Sequence, residues 1–104
     1  MPADKLEQLT KMLERQPTDP FLLYGVGMEH KKRGDDPKAI EFFTRVIESD
    51  PNYCYAYYQR GQAHERSGNV DLARESYQGG VDAARRTNDE HALSELQGAL
   101  DMTN

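Results

Sequence analysis

The chain has 104 residues, which is enough for one domain and too few for two independent cores. Apolar residues make up 37% and charged residues 30%, so folding depends on how the apolar residues are spaced rather than on their abundance. The net charge of −5 argues against a nucleic-acid partner, because binding to phosphates requires a surplus of Lys and Arg.

The first predicted element is a helix within residues 4–17. Its apolar side chains recur every three or four residues, as they do along one face of an α-helix. They are Leu6, Leu9, Met12 and Leu13. Pro17 ends the element, because the residue before a proline avoids helical backbone angles. This pattern predicts a short helix with one buried face.

From Pro17 onward, the same or similar residues recur at a constant spacing along the sequence, as at Pro17 and Pro51. We call this spacing the repeat period. A shift by one repeat period aligns seven identical pairs, which are Pro17/Pro51, Tyr24/Tyr58, Gly27/Gly61, His30/His64, Gly34/Gly68, Ala39/Ala73 and Glu41/Glu75. A fixed period of this length is typical of solenoid proteins, in which stacked units build one continuous core. We therefore predict two structural repeats, over residues 20–53 and 54–87.

Each period is predicted to contain two helices joined by a tight turn. Asp19 and Pro20 combine a helix N-cap with a proline suited to the first helical position. Gly34 is typical of a helix C-terminus, and Asp35 begins a second helix that stops before Pro51. The second period has the same organisation.

The last predicted element is a helix over residues 88–102. Thr87 and Glu90 have the spacing of a capping box at its start. Its apolar side chains are Ala92, Leu93, Leu96, Ala99 and Leu100. Because the opposite face is polar, we expect this helix to cap the array of repeats. The sequence thus predicts six helices and no strand.

Gly27 and Gly61 lie in the middle of predicted helices, where glycine costs about 1 kcal/mol relative to alanine. The same cost falls at the same place in both repeats. This coincidence predicts a close approach of the neighbouring helix at each glycine.

The first period contains Leu23-x2-Val26-Gly27-x2-His30, Ala39-x3-Phe43 and Pro51. The second contains Tyr57-x2-Arg60-Gly61-x2-His64 and Ala73-x3-Tyr77, with Arg85 in place of the last proline. These residues resemble the tetratricopeptide repeat, whose pattern is W-x2-L-G-x2-Y, then A-x3-F, then P. The resemblance implies an all-α, right-handed solenoid of antiparallel helix pairs, as one domain over residues 1–104. The missing proline predicts a longer last repeat helix.

The resemblance also implies a concave side that is lined by the first helix of each pair and holds segments of other proteins. Helical spacing indicates which residues lie there. We call them the concave face: Phe21, Tyr24, Met28, Lys31, Tyr55, Tyr58, Gln59, Gln62 and Glu65. Gly25 is expected to leave a notch in this face. Since each helix has a second apolar stripe for the core, we expect the aromatic rings to lie outside the core and to bind a peptide segment of a partner protein.

Two other interpretations of the concave face stay open. Aromatic side chains at helical spacing are often part of a core. Alternatively, a second copy of the chain or its end helices cover the face, and the protein is a self-associating scaffold unit that forms a weak homo-oligomer. The molecular mass as a function of concentration separates self-association from binding to a different partner.

The sequence predicts a non-enzymatic protein without a metal or other cofactor. His30, His64 and His91 are far apart along the chain, and neither a zinc motif nor a phosphate-binding glycine loop is present. The single cysteine, Cys54, excludes an internal disulfide. Because no apolar run has the length of a membrane span and the start lacks a signal-peptide pattern, we expect a cytoplasmic protein with no membrane partner.

Overall fold

The computed structural model describes residues 4–103, which form six helices and, within that range, no strand. The helices are α1 (Lys5–Arg15), α2 (Pro20–Lys32), α3 (Asp36–Ser49), α4 (Cys54–Arg66), α5 (Val70–Thr87) and α6 (Glu90–Asp101). Consecutive helices pack against each other, and the molecule measures 45 × 29 × 19 Å. The prediction of an all-α repeat is confirmed.

Aspartate side chains begin four of the helices. Each carboxylate accepts a hydrogen bond from a backbone N–H two or three residues further on, at Asp4, Asp19, Asp35 and Asp89. The predicted capping box of Thr87 and Glu90 is wrong. Thr87 is the last residue of α5, and its hydroxyl donates to the carbonyl of Ala83 at 3.0 Å. The N-cap of α6 is therefore Asp89, whose carboxylate accepts from Ala92 N at 3.0 Å.

The turn inside each helix pair depends on a glycine with a positive φ angle. Gly34 follows α2 with φ +79°, and Gly68 follows α4 with φ +80°. This left-handed conformation costs glycine nothing and is strained for other residues. The two turns therefore have the same shape, and α3 and α5 fold back on their partners in the same way.

Glycines in the middle of α2 and α4 bring the paired helices together, as predicted. A Cβ added at Gly61 would lie 2.3 Å from a ring carbon of Tyr77 in α5, and a Cβ at Gly27 would meet Phe43 in α3 in the same manner. Both rings are buried, with 0% of Phe43 and 1% of Tyr77 exposed. The ring of the second helix thus takes the volume that a side chain on the first would need.

Helix α5 is the longest of the described helices, with 18 residues. Side chains from its neighbours α4 and α6 pack against two of its glycines, Gly79 and Gly80. A Cβ at Gly79 would lie 2.9 Å from the ring of Tyr57, and one at Gly80 would lie 2.5 Å from a methyl group of Leu96. Helix α5 ends at Thr87, beyond Arg85, the position that corresponds to Pro51 one repeat period earlier. The last helix of the second repeat is therefore longer than that of the first. Leu96 joins α6 to the core, with 0% of its surface exposed.

The core consists of two clusters. One is formed by α1, α2 and α3 with the start of α4, around Leu23, Val26 and Val46. The other is formed by α4, α5 and α6, around Tyr77, Val81 and Leu96. Met12, which the apolar stripe placed on the buried side of α1, is 52% exposed because α1 packs on α2 mainly through its other apolar side chains.

Candidate functional site

The part of the concave face on α2 forms one wall of a cavity of about 630 Å³ between α1 and α2. The α2 residues in this wall include four of the predicted site residues, which are Phe21, Tyr24, Met28 and Lys31. The opposite wall belongs to α1, which contributes Lys5 and Leu9. The spacing along α2 therefore brings four predicted residues to one side of a single cavity.

The part of the concave face on α4 is organised around Tyr58. The rings of Tyr55 and Tyr58 meet edge to face with 6.4 Å between their centroids. Gln62 Nε2 donates to the hydroxyl of Tyr58 at 3.2 Å. One turn further on, the Glu65 carboxylate accepts a hydrogen bond from the hydroxyl of Tyr77. This half of the face thus presents tyrosine rings followed by fixed polar groups.

A hydrogen bond joins the two halves of the face. Lys31 Nζ on α2 donates to Gln59 Oε1 on α4 at 2.7 Å. Lys31 also lines a smaller depression of about 260 Å³ together with Gln62, Glu65 and Arg66. The structure therefore places the two predicted stripes side by side, with the apolar cavity on α2 and a polar depression at the carboxyl ends of α2 and α4.

Burial divides the aromatic residues of the face into two groups. Phe21 is 74% exposed, whereas Tyr24 and Tyr58 are half-buried and pack against the core clusters. The ring centroid of Tyr24 lies 5.6 Å from that of Phe43 and 5.0 Å from that of Tyr53. The expectation that all these rings lie outside the core is therefore wrong for Tyr24, Tyr55 and Tyr58, which contact both the core and the surface.

Burial also changes the acidity of two groups in the face. It raises the pKa of Tyr24, an effect increased by the neighbouring Tyr53 and opposed by a hydrogen bond with Gln59. Tyr24 therefore keeps its proton at neutral pH. Burial lowers the pKa of Lys31, and the positive charge of Arg66 adds to this. The partial desolvation of Lys31 makes its ammonium group more responsive to an incoming carboxylate than a fully hydrated lysine.

Three features of the site were not predicted from the sequence. Leu9 of α1 forms part of its wall, and the predicted notch at Gly25 is partly filled by that side chain. A Cβ at Gly25 would lie 3.3 Å from Leu9 Cδ1. A signal for Leu9 was present, because it precedes Phe43 by one repeat period. Tyr53, which stacks on Tyr24, lies in the turn before α4 and follows no helical spacing.

No cluster of three or more His, Cys, Asp or Glu side chains within residues 4–103 is arranged to hold a metal ion. None of the helices in the same range is long and apolar enough to cross a membrane. The groups that the cavity offers are aromatic and aliphatic surface with ammonium groups at its rim.

Comparisons with known proteins agree with the geometry of the helix pairs. A profile of the tetratricopeptide repeat (TPR) matches residues 22–53, and a second profile of the same repeat matches residues 42–75. A TPR repeat-containing protein of Pseudomonas aeruginosa is 30% identical over 91 residues, which cover 88% of this chain and 87% of that protein. The chain belongs to the tetratricopeptide repeat family. The match over residues 22–53 spans most of the pair α2–α3, and the match over residues 42–75 runs from α3 through α4 into the start of α5.

Solved TPR structures superpose on most of the chain. A TPR domain protein from Salinibacter ruber, solved by solution NMR, gives a TM-score of 0.79 at 35% identity and covers 85% of this chain and 89% of its own. PcrH from P. aeruginosa, crystallised with the chaperone binding region of PopD, gives a TM-score of 0.89 at 14% identity. The match covers 94% of this chain and 74% of PcrH, and at this identity it shows the fold alone.

Proposed function

We propose that this TPR protein is a non-enzymatic interaction module that binds a peptide segment of another protein on its concave face. TPR proteins are in general interaction modules, and the structural neighbour PcrH was crystallised with a segment of PopD. The observation that carries the proposal is Phe21, a large apolar ring that is 74% exposed at a cavity of about 630 Å³. An exposed aromatic ring beside an apolar cavity is typical of a protein-binding site.

The cavity and its surroundings define the chemistry of the ligand. Phe21, Met28 and Leu9 offer apolar surface to one or more hydrophobic side chains. Lys31 at the carboxyl end of α2 favours an acidic group next to it. The amides of Gln59 and Gln62 on α4 are held by hydrogen bonds to Lys31 and to the hydroxyl of Tyr58, so they form a fixed polar border beside the cavity. We therefore infer a ligand with a hydrophobic anchor followed by a carboxylate.

The experiment selects peptides from a displayed random library and titrates them by calorimetry against the wild type and the double variant Phe21→Ala/Met28→Ala. Neither side chain is fully buried, so the double variant should keep its fold and lose affinity by tens-fold, because central apolar anchors dominate interface energies. Tyr24→Ala is unsuitable as the main test, since Tyr24 also packs against Phe43.

Glu48→Ala on α3 is the matched control, because Glu48 is exposed and lies outside the concave face. The control should bind like the wild type, and circular dichroism should be the same for all three proteins. Selected peptides that bind the double variant as tightly as the wild type would exclude the concave face as the binding site.

A further inference from the structure

Within residues 4–103, each end helix corresponds to one half of a TPR unit. Along the repeat period, Lys5 and Leu9 of α1 correspond to Ala39 and Phe43 of α3, so α1 corresponds to the second helix of a pair. Helix α6 follows the pair α4–α5 and contacts both of its members, so it corresponds to the first helix of a pair. Among the described residues, the two ends therefore present helices of complementary type.

The cavity between α1 and α2 is the place that a preceding first helix would fill. Phe43, the counterpart of Leu9, is 0% exposed because it is covered by α2, the first helix of its own pair. Leu9 remains half-buried and faces the cavity with Phe21 and Gly25. The internal packing of α2 on α3 is thus a template for an α-helix seated on α1.

Helix α6 presents an outer surface with one unusual residue. At each of the glycines within the other helices, an added Cβ would have a side-chain atom within 3.3 Å, whereas at Gly98 of α6 it would have no atom within 4 Å. Packing within one chain therefore does not require glycine at position 98, where it lowers the helix propensity. Gly98 lines a shallow depression of about 450 Å³ with Leu93, Gln97 and charged residues that include Arg85 and Asp101. Its place on this surface fits a close approach from outside.

We propose that α6 of one copy docks into the α1–α2 cavity of a second copy, so that the two end helices complete a TPR unit across the junction. When the starts of α4 and α6 are aligned, Gln97 takes the position of Gly61, which in α4 faces the ring of Tyr77. Leu9 takes the ring's position in α1. At the junction, Gln97 is larger than Gly61 and Leu9 is smaller than Tyr77. The combined side-chain volume is therefore similar to that of the internal Gly61–Tyr77 contact.

Charge supports the same pairing. Helix α6 contains neither Lys nor Arg, and two of its carboxylates, Glu90 and Asp101, line the depression beside Gly98, where Arg85 of α5 contributes one positive charge. The cavity is bordered by Lys5, Lys31 and Lys32, and among the described residues that line it the one carboxylate, Glu29, is only 6% exposed. Opposite charges on two surfaces steer them together and fix their register. Because the two surfaces differ, the contact is head-to-tail and continues from copy to copy.

This inference uses the same cavity as the proposed function but not the same ligand. Docking of α6 would occupy the space beside Phe21, so a peptide that binds there should compete with self-association. The test therefore changes Lys5, Lys32 and Gly98, which lie outside the concave face as defined above.

The experiment measures sedimentation of the full chain from about 10 μM to about 1 mM, where weak association becomes visible. The groove variant Lys5→Glu/Lys32→Glu and the tail variant Gly98→Trp should each remain monomeric at concentrations where the wild type associates. A mixture of the two should form a one-to-one dimer and nothing larger, because one has an intact α6 and the other an intact cavity. Lys11→Glu/Lys38→Glu carries the same charge change on exposed lysines elsewhere and should associate like the wild type.

Two results would overturn the inference. One is a wild type that stays monomeric over the whole range, which would leave the cavity to a different protein. The other is self-association that is unchanged in both variants, which would place the contact on another surface. Neither result bears on the peptide titration. That titration is done at concentrations where the chain is monomeric, and its variants change Phe21 and Met28 instead of Lys5, Lys32 and Gly98.

Discussion

The ring of Phe43 lies so close to the backbone of Gly27 that a Cβ at that glycine would be 2.7 Å from the ring carbon Cε1. The helix pair α2–α3 is therefore packed at a distance that only glycine permits. The cost of a mid-helix glycine is offset by the burial of an aromatic ring, which is 0% exposed. Gly98 provides the contrast, since no atom lies within 4 Å of its Cβ position.

We predict that alanine has opposite effects at these two glycines. Gly27→Ala should lower the free energy of unfolding by about 1–2 kcal/mol, because overpacking against Phe43 exceeds the gain in helix propensity. Gly98→Ala should raise it by up to about 1 kcal/mol, because the helix gains propensity without a clash. Urea denaturation at low protein concentration, where the chain is monomeric, measures both.

Gly61→Ala serves as the internal control for the first effect, since a Cβ there would be even closer to Tyr77, at 2.3 Å from a ring carbon. It should destabilise at least as much as Gly27→Ala. Equal stability of the Gly27 and Gly98 variants would contradict the packing argument.

The repeat period predicts the fold because each repeat carries its own helix boundaries and its own small-against-large contact. Gly27 with Phe43 and Gly61 with Tyr77 are visible as a pattern before any coordinates are known. The capping of α6 was not predictable in the same way. Thr87 and Asp89 are both good N-cap residues, and the choice between them depends on how far α5 continues, which is set by the packing of α6 on the end of α5.

The composition of the concave face was predicted from helical spacing, but the burial of its rings was not. Spacing places Tyr24 and Phe21 on one side of α2, yet only tertiary contacts determine that Tyr24 leans onto Phe43 and Tyr53 while Phe21 stays exposed. The contribution of Leu9 was also missed. Leu9 lies on α1, outside the two repeats, and its place in the cavity wall depends on how α1 packs on α2.

We predict that Tyr24 and Phe21 differ in their effect on stability. Tyr24→Ala should lower the free energy of unfolding by about 2 kcal/mol, because the half-buried ring leaves a gap beside two aromatic neighbours. Phe21→Ala should change it by less than about 0.5 kcal/mol, as expected for an exposed side chain. Thermal melts followed by circular dichroism measure the difference. A Phe21 variant that is as unstable as the Tyr24 variant would mean that Phe21 belongs to the core.

We predict that α6 is an integral cap of the array. Leu96→Ala should cost about 2–5 kcal/mol, because the side chain is 0% exposed and fits against Gly80. Ser94→Ala, on the exposed side of the same helix, should have little effect. Denaturant titration of both variants provides the comparison. If Leu96→Ala left the midpoint unchanged, α6 would be attached to the fold without stabilising it.

The last prediction concerns His64, whose Nδ1 is buried without a hydrogen-bond partner among the described residues. Burial lowers the pKa of His64 below its ordinary value of 6.5, and the positive charge of Arg60 lowers it further, while Glu75 opposes the shift. Between the ordinary pKa and the lower pKa of the folded state, the unfolded chain binds more protons than the folded one. Stability should therefore fall as the pH drops from about 7.5 to about 5.5, in the direction that linkage requires.

Replacement of His64 by glutamine removes this titration and should flatten the dependence of the melting temperature on pH over that window. His91→Gln is the matched control, because His91 lies on the exposed face of α6 with Nε2 2.9 Å from a carboxylate oxygen of Glu95. The His91 variant should keep the slope of the wild type. Melting temperatures at half-unit steps of pH, at constant ionic strength, separate the two variants. A slope that persists unchanged in His64→Gln would show that the pH dependence does not come from the imidazole of His64.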